Sequence, residues 1–231
     1  MALVFPHIVT TLAIIGSEDR FPVRRIYCVG RNYVEHIREM KEGDERDLPF
    51  FFQKPTDSIV SEGEVVPYPP ATEDFQYEIE LVAAIGKSAR NIPVAEALDV
   101  VFGYAAGIDL TRRDRQRESF KKGLPWEIGK SFDHSAPCGP LHTVDSVGHR
   151  LEGSITLTVN DEERQRADLR QMIWNTPEII ANLSTQYSLE PGDLIMTGTP
   201  AGVGPIVPGD RLVAAVEGLA PFSFSIGPKK A

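Results

Sequence analysis

The chain of 231 residues is 42% hydrophobic, which is enough to bury the core of one large domain. Its 33 acidic and 24 basic residues give a formal net charge of −9. This charge argues against nucleic-acid and anionic-membrane partners, since both need a basic face. The two cysteines have no CxxC spacing, and neither a signal peptide nor an apolar run near the roughly 18 residues of a membrane helix is evident. We therefore expect a reduced, cytoplasmic protein.

The first part of the chain predicts a leading segment, a strand and a short helix. Residues 1–22 end in an Asp-Arg-Phe-Pro stretch, and we expect an arm or a small leading sheet there, before a single domain over 23–231. RIYCVG, 25–30, is typical of a buried strand. In the following RNYVEHIREM, Asn32 is placed to cap a helix, with Glu35 three residues later.

Short strands are predicted next, over 48–53 and 58–60, and then over FQYEIEL, 75–81. Successive side chains of a strand point to opposite faces, so Glu78 and Glu80 share one face. Their Cα atoms are expected roughly 6 to 7 Å apart, and two like charges so close repel unless water or a cation lies between them. Solvent and a metal ion are the two explanations.

The middle of the chain predicts two helices separated by a strand. Pro93 occupies a first helical position for a helix through Val101, and FGYAAGIDL is typical of a strand that ends in Asp109. Thr111 and Asp114 have the spacing of a capping box, which predicts a charged helix running to Lys122.

The last third is predicted to be mostly β. Thr176-Pro177 opens a helix, and strands are expected over 155–160, 193–197 and 211–217, each after turn residues. The fold class is therefore mixed α/β and strand-rich, without the regular alternation of a doubly wound sheet.

Three carboxylates form the first candidate site: Glu78 and Glu80 on one strand, and Asp109 at the end of another. Ligation by oxygen alone suits a hard cation such as Mg²⁺, Mn²⁺ or Ca²⁺. From spacing alone, three solvated acids on strand faces are the commoner explanation.

His36 and Glu39 form the second candidate site. Positions three apart lie on one helix face, so the carboxylate can hold the imidazole in a basic tautomer, as in a general-base dyad. An ordinary surface histidine beside a charged neighbour is the alternative.

Two further segments contain candidate binding groups. The helix that contains Arg113 and Gln116 follows directly on Asp109, so its first turn is expected beside the acids, and Lys130 comes soon after it in GKSFD. The other charges of that helix are expected on a solvated face. The glycines of GTPAGVG, 198–204, permit a tight loop with backbone amides turned towards an anion, although a plain connection between strands would look the same.

Six motifs in order extend this pattern over nearly the whole chain from about residue 20. They are CVGRNYVEHIREM, FFFQKPTDSIV, YEIELVAAIGK, GYAAGIDLTRRDRQ, GLPWEIGKSFD and GDLIMTGTPAGVG. Together they resemble the fumarylacetoacetate hydrolase family. The segments FPVRRIYCVGRNY, HSAPCGP and MIWNTPEIIANLS are most similar to the branch of that family that hydrolyses fumarylpyruvate in gentisate degradation.

The resemblance implies a β-roll with short peripheral helices, a homodimer, and a divalent metal, most simply Mg²⁺, held by Glu78, Glu80 and Asp109. It also implies catalytic and substrate-binding groups. The catalytic residues would be His36, Glu39 and Lys130, and the substrate-binding residues Arg31, Arg113, Gln116 and Thr199.

The reaction implied is metal-dependent hydrolysis of the C3–C4 bond of a small 2,4-dioxo acid. Because a fold does not fix a reaction, decarboxylation of oxaloacetate and isomerisation or decarboxylation of a 2-hydroxydienedioate stay open, as does a metal-binding structural protein without activity. The charged segment 40–48, MKEGDERDL, is either a lid over the site or an ordinary exposed loop.

Overall fold

The computed structural model describes residues 4–6, 8–40 and 47–229. The strands are β1 (Thr11–Ala13), β2 (Arg20–Pro22), β3 (Arg25–Gly30), β4 (Phe50–Lys54), β5 (Ile59–Val60), β6 (Val65–Tyr68), β7 (Phe75–Tyr77), β8 (Ile79–Ile85), β9 (Val101–Ile108), β10 (Thr111–Arg112), β11 (Ala136–Pro137), β12 (His142–Thr143), β13 (Ser154–Val159), β14 (Glu162–Asp168), β15 (Asp193–Met196), β16 (Gly204–Pro205), β17 (Arg211–Val216) and β18 (Phe222–Lys229). The helices are α1 (Val34–Met40), α2 (Arg113–Lys121), α3 (Glu127–Lys130), α4 (Val144–Val147) and α5 (Thr176–Gln186), with 3₁₀ turns at Thr56–Ser58, Val94–Val100 and Leu169–Gln171. This strand-rich α/β arrangement confirms the predicted fold class.

A six-stranded sheet with the order β12-β9-β8-β15-β3-β4 forms the centre of the fold. All seven residues of β8 are buried. Leu81 and Ala83 contribute to one hydrophobic cluster, whereas Val82 and Ala84 contribute to another. Since alternate side chains of a strand point to opposite faces, both faces of this sheet are covered.

A five-stranded sheet with the order β14-β13-β17-β18-β6 packs on one side of the central sheet. In β13, Ile155, Leu157 and Val159 are buried and alternate with half-buried Ser and Thr residues. This period of two is typical of an antiparallel sheet with one face on the core.

The other face of the central sheet is covered by the hairpin β1–β2, whose Leu12 and Phe21 join the cluster that contains Cys28 and Val82.

The predicted domain boundary at residue 22 stays a prediction. The predicted lid, 40–48, includes 41–46, which lie outside the described residues. Within the described ranges, no helix combines the length and hydropathy needed to cross a bilayer.

Most predicted strands agree with the structure to within two residues at each end. The stretch 75–81 is interrupted at Glu78, which separates β7 from β8. The predicted helix at 93–101 is a 3₁₀ turn, Val94–Val100, preceded by Pro93 in an extended conformation. The polar strand β14 was not predicted, because EERQRAD lacks the apolar alternation that identifies a strand.

Two predicted helix caps are wrong, because their polar side chains bind elsewhere. Asp114 does not cap α2 with Thr111. Its carboxylate instead accepts hydrogen bonds from Thr72 Oγ1 (2.5 Å) and Glu73 N (3.0 Å), in the loop before β7. The Asn32 side chain likewise binds groups outside α1.

The cap of α5 lies one residue before the predicted Thr176. Asn175 Oδ1 accepts from Glu178 N (3.0 Å), and the Glu178 carboxylate accepts from Asn175 N (2.9 Å). This reciprocal capping box satisfies backbone donors at the helix start.

Leu157→Ala should lower the free energy of unfolding by about 2–5 kcal/mol, because the fully buried side chain would leave a cavity between the two large sheets. Leu151→Ala is the matched control: Leu151 is 38% exposed, and we expect a loss of about 1 kcal/mol or less. Urea unfolding of both variants gives the measurement. Equal losses would contradict the position of Leu157 in the core.

Candidate metal and active site

A cleft with an empty volume of about 580 Å³ opens beside the central sheet. Its lining includes all of the predicted site residues except Glu39. The predicted residues come from α1, β8, α2 and α3 and from the positions that follow β3, β7, β9 and β15, so distant parts of the chain meet here. The cleft is therefore the candidate site of chemistry.

Three carboxylates converge at the base of this cleft. One oxygen each of Glu78, Glu80 and Asp109 lies within 4.8 Å of the other two. The pairing of β8 with β9 brings them together, because Ile79 lies opposite Ile108 and Asp109 N donates to Glu78 O at 2.8 Å. The three acids are at most 5% exposed, so solvation by bulk water does not explain them.

Two buried lysines neutralise part of this negative charge. Lys130 Nζ lies 2.8 Å from Glu78 Oε2 and 2.7 Å from Asp109 Oδ2. The same nitrogen donates to Thr111 Oγ1 at 2.8 Å. Lys54 Nζ lies 2.8 Å from the other Asp109 oxygen. Lys54 was not among the predicted residues, because a lysine at the end of the strand β4 gives no sign of a partner 55 positions later.

Arg113 provides the third buried cation. Its Nη2 donates to Glu78, its Nε donates to Gln76 Oε1 at 2.8 Å, and its Nη1 donates to Gln116 Oε1 at 2.6 Å. The bond to Gln116 fixes the amide, because the oxygen faces Arg113 and the NH₂ group must point elsewhere. The first turn of α2 thus supports the carboxylates and orients an amide that lines the cleft.

Glu80 differs from its two neighbours. Among the residues that the structure describes, no lysine or arginine nitrogen lies within 4.0 Å of its carboxylate, which accepts from Gly198 N at 2.5 Å. Burial, and then the charges of Asp109 and Glu78, raise the pKa of Glu80 well above its usual range. Burial also acts to raise the pKa of Glu78, but Lys130 and Arg113 outweigh it and lower that pKa. Within the described chain, Glu80 is thus the carboxylate of the cluster without a cationic side chain beside it, and a bound divalent cation would provide its counter-charge.

The loop 198–204 directs backbone amides at carboxylates, as its glycines predicted. Gly198 N binds Glu80, and Gly202 N donates to both oxygens of Glu39 at 3.2 and 3.3 Å. Gly198 has φ +95°, and a Cβ there would lie 2.6 Å from Asn32 Cβ. Only glycine fits this position without movement.

Asn32 connects the start of α1 to this loop. Its Nδ2 donates to Thr197 O (2.7 Å) and Trp174 O (2.8 Å), and its Oδ1 accepts from Trp174 N (2.8 Å). Asn32 is 1% exposed, so losing one of these hydrogen bonds would leave a buried polar group without a partner, and the side chain is held in this position. They explain why Asn32 does not cap the helix.

His36 and Glu39 contact each other as their spacing predicted. His36 Nδ1 lies 3.4 Å from Glu39 Oε2. His36 is 7% exposed and lines the cleft, so it is not an ordinary surface histidine. Glu39, whose carboxylate accepts from Gly202 N, lies on the Nδ1 side of the ring.

Thr199 is held by a glutamine that the sequence did not identify. Gln165, 1% exposed in β14, donates to Thr199 Oγ1 (2.9 Å) and Pro200 O (2.8 Å). Its Oε1 accepts from Ile79 N (3.0 Å), between Glu78 and Glu80. Its three partners are 34 to 86 residues away in sequence, so no local pattern could have indicated it.

Comparisons with known proteins agree with this geometry. The profile of the family described as Fumarylacetoacetate (FAA) hydrolase C-terminal matches residues 25–226. The fumarylpyruvate hydrolase of Ralstonia sp is 44% identical over 179 residues, covering 78% of this chain and 93% of that protein. The human oxaloacetate tautomerase FAHD1, mitochondrial, is 39% identical over 203 residues, covering 88% of this chain and 91% of that protein.

A solved structure is similar over almost the whole chain. It is the fumarylpyruvate hydrolase from Pseudomonas aeruginosa in complex with Mn²⁺ and pyruvate, at a TM-score of 0.97 and 47% identity, covering 99% of this chain and 100% of that one.

Gly198→Ala tests how tightly the loop is built against the carboxylates. A side chain at positive φ costs about 1–2 kcal/mol, and the contact with Asn32 should add about 1–3 kcal/mol. Gly209→Ala is the matched control, because Gly209 has φ +97° and a Cβ there meets no atom within 4 Å. Urea unfolding should give the larger loss for Gly198→Ala. Equal losses would contradict the close packing of the loop on Asn32.

Proposed function

Because the chain belongs to the fumarylacetoacetate hydrolase family, we propose that it hydrolyses the C3–C4 bond of a 2,4-dioxo acid. The substrate is fumarylpyruvate, and the products are fumarate and pyruvate. The observation that carries this proposal is the cleft that combines three buried, converging carboxylates with the imidazole of His36. The 44% and 47% identities to fumarylpyruvate hydrolases support the choice of substrate.

Glu78, Glu80 and Asp109 would hold a divalent cation. Mg²⁺ is the proposed ion, with Mn²⁺ or Ca²⁺ as alternatives, since all three prefer oxygen ligands. When bound, the ion supplies Lewis-acid polarisation of the substrate's oxo group and neutralises negative charge. The Mn²⁺ and pyruvate in the Pseudomonas aeruginosa enzyme support this assignment.

His36 acts as the general base. Its Nδ1 lies 3.4 Å from Glu39 Oε2, and an ionised carboxylate accepts only, so this role puts the proton on Nδ1 and the lone pair of the neutral ring on Nε2. Nε2 takes a proton from water, and the resulting hydroxyl adds to C4. When the C3–C4 bond breaks, the electron pair on C3 takes the proton back from the imidazolium. Glu39 stabilises the charged ring in between.

Gln116 is the better donor to the oxyanion that forms at C4. The three Nζ hydrogens of Lys130 already have three acceptors, Glu78, Asp109 and Thr111. The Gln116 NH₂ group is turned away from Arg113 and can donate. Lys130 then positions the reacting centre, because its Nζ holds the carboxylates of Glu78 and Asp109. Arg31, Arg113 and Thr199 bind the substrate.

The setting of this reaction is proposed as well. Gentisate degradation yields fumarylpyruvate, and two buried free cysteines are typical of a reducing cytoplasm. We expect a homodimer, and the exposed apolar side chains Val4, Phe5 and Ile8 near the amino terminus support an interface. Because the net charge is −9, we expect neither nucleic acid nor an anionic membrane as a partner.

Oxaloacetate and 2-hydroxydienedioates are the competing substrates, because the same oxo-acid end would bind the same groups. A metal-binding structural protein has no need of a buried histidine that is paired with a carboxylate and lines a cleft.

Metal removal tests the proposed reaction directly. Protein stripped with a chelator should lose hydrolysis of fumarylpyruvate, followed by loss of the enol absorbance, and added Mg²⁺ or Mn²⁺ should restore it. Oxaloacetate is assayed in parallel. Turnover that survives chelation, or a preference for oxaloacetate, would contradict the proposal.

Glu80→Gln should weaken Mn²⁺ binding by more than about 10-fold, whereas the exposed Glu163→Gln should not.

His36→Ala should lower kcat for fumarylpyruvate by about 10² to 10⁴, because water would lose its general base. Mn²⁺ affinity should change little, since His36 is not among the proposed ligands. His149→Ala is the control, because its ring contacts the Tyr104 hydroxyl at 3.0 Å and does not line the cleft. Normal turnover by His36→Ala would remove the dyad from the mechanism.

A further inference from the structure

The strand β14 lies at the protein surface, yet one of its side chains points into the interior. Gln165 is 1% exposed, whereas the residues on either side of it are exposed. The pairing of β14 with β13 shifts at this point: Gln165 lies opposite Leu157 and Glu163 lies opposite Thr158, so Arg164 is an extra residue. A β-bulge re-aims a neighbouring side chain, and here it places an amide inside the protein.

The loop 198–204 packs directly on this bulge. Gly202 has φ +95°, and a Cβ there would lie 2.3 Å from Arg164 O and 3.4 Å from Cγ of Gln165. The bulge and the loop are therefore in close contact. The same loop carries Thr199, whose side chain lines the cleft.

Two buried backbone groups fix the orientation of the Gln165 amide. Its Oε1 accepts from Ile79 N (3.0 Å), and its Nε2 donates to Pro200 O (2.8 Å). A reversed amide would place an NH₂ group against an N–H and an oxygen against a carbonyl oxygen, so both hydrogen bonds would be lost. The NH₂ group therefore faces the loop, and its second hydrogen is donated to Thr199 Oγ1, 2.9 Å away.

This hydrogen bond determines what the Thr199 hydroxyl can do. The oxygen accepts from Gln165, and the one hydrogen of the hydroxyl must be donated elsewhere. In the part of the chain that the structure describes, no acceptor forms a hydrogen bond with it. Since Thr199 lines the cleft, the hydrogen is left for a ligand that binds there.

We propose that Gln165 is a positioning residue that makes the Thr199 hydroxyl a hydrogen-bond donor to a carboxylate oxygen at the oxo-acid end of the substrate. This inference rests on the proposed function, in which Thr199 binds the substrate, and adds the residue that sets the direction of its hydrogen bond. The matching ligand chemistry is an ionised carboxylate, because its oxygens only accept, and hydrogen bonds to a charged group are the stronger ones.

A purely structural role of Gln165 predicts a different result. Loss of the amide would leave Ile79 N and Pro200 O buried without a partner, which lowers the free energy of unfolding whatever Thr199 does. If the amide acts by orienting the hydroxyl, its effect on substrate binding must disappear once that hydroxyl is absent. A distorted loop would weaken binding in either case.

The test is a double-mutant cycle of Gln165→Met and Thr199→Val, which remove the amide and the hydroxyl with little change in size. KM for fumarylpyruvate should rise about 10- to 100-fold in Thr199→Val and about 5- to 20-fold in Gln165→Met. The value of kcat should stay within about 3-fold, because the contact is made equally before and during reaction. In the Thr199→Val background, Gln165→Met should change KM by less than about 2-fold.

Gln171→Met is the matched control. Gln171 accepts from Asp168 N at 2.7 Å, is exposed and does not line the cleft, so KM should change by less than about 2-fold. The dissociation constant of pyruvate from Mn²⁺-loaded protein is measured by calorimetry with the same variants. Pyruvate has the same oxo-acid end as the proposed substrate, so this constant should follow KM without any turnover.

Two results would overturn the assignment. One is a Gln165→Met substitution that weakens pyruvate binding by the same factor with and without the Thr199 hydroxyl. The other is a Gln165→Met protein that binds pyruvate as the wild type does. Wild-type protein that binds pyruvate but does not hydrolyse fumarylpyruvate would contradict the proposed function instead, and the pyruvate cycle would still test Gln165. If the wild type binds no pyruvate either, both proposals fail.

Discussion

The burial of three carboxylates beside one another is the constraint on which the rest of this structure depends. Each acid loses its hydration, and each raises the cost of ionising the other two. Much of the fold supplies the compensation: β4 contributes Lys54, α3 contributes Lys130, α2 contributes Arg113, and the loop after β15 contributes an amide. Elements that look peripheral by size are therefore necessary for the charge balance of the centre.

The two large sheets serve this arrangement in different ways. The central sheet sets the positions of the acids through the register of β8 against β9. The second sheet packs on it and delivers Gln165, which connects the backbone between the two glutamates to Thr199. The proposed reaction thus takes place where a rigid pair of strands meets a loop that is itself held from two sides.

The sequence was sufficient for what depends on local pattern. Alternation placed most strands, and the three-residue spacing of His36 and Glu39 predicted their contact. The spacing of the three acids left solvent and a cation as alternatives, and the family resemblance favoured the cation. Sequence patterns failed where a polar side chain chooses between a local and a distant partner: Asn32 and Asp114 both had local capping spacing, yet distant groups bind them. Lys54 and Gln165 were not predicted as site residues for the same reason, because the spacing of residues along the chain does not indicate partners that are distant in sequence.

The loop 198–204 touches both halves of the chemistry, with one amide on Glu80 and another on Glu39. Any displacement of this loop therefore moves a proposed ligand and the orienting group of a base together. A substitution in this loop would therefore change the metal site and the orientation of the base together, so we do not expect the loop to diverge in small steps. Phe120 and Trp126 line both the cleft and the open groove beside it, so substitutions there would alter the space for a substrate without displacing either amide of the loop.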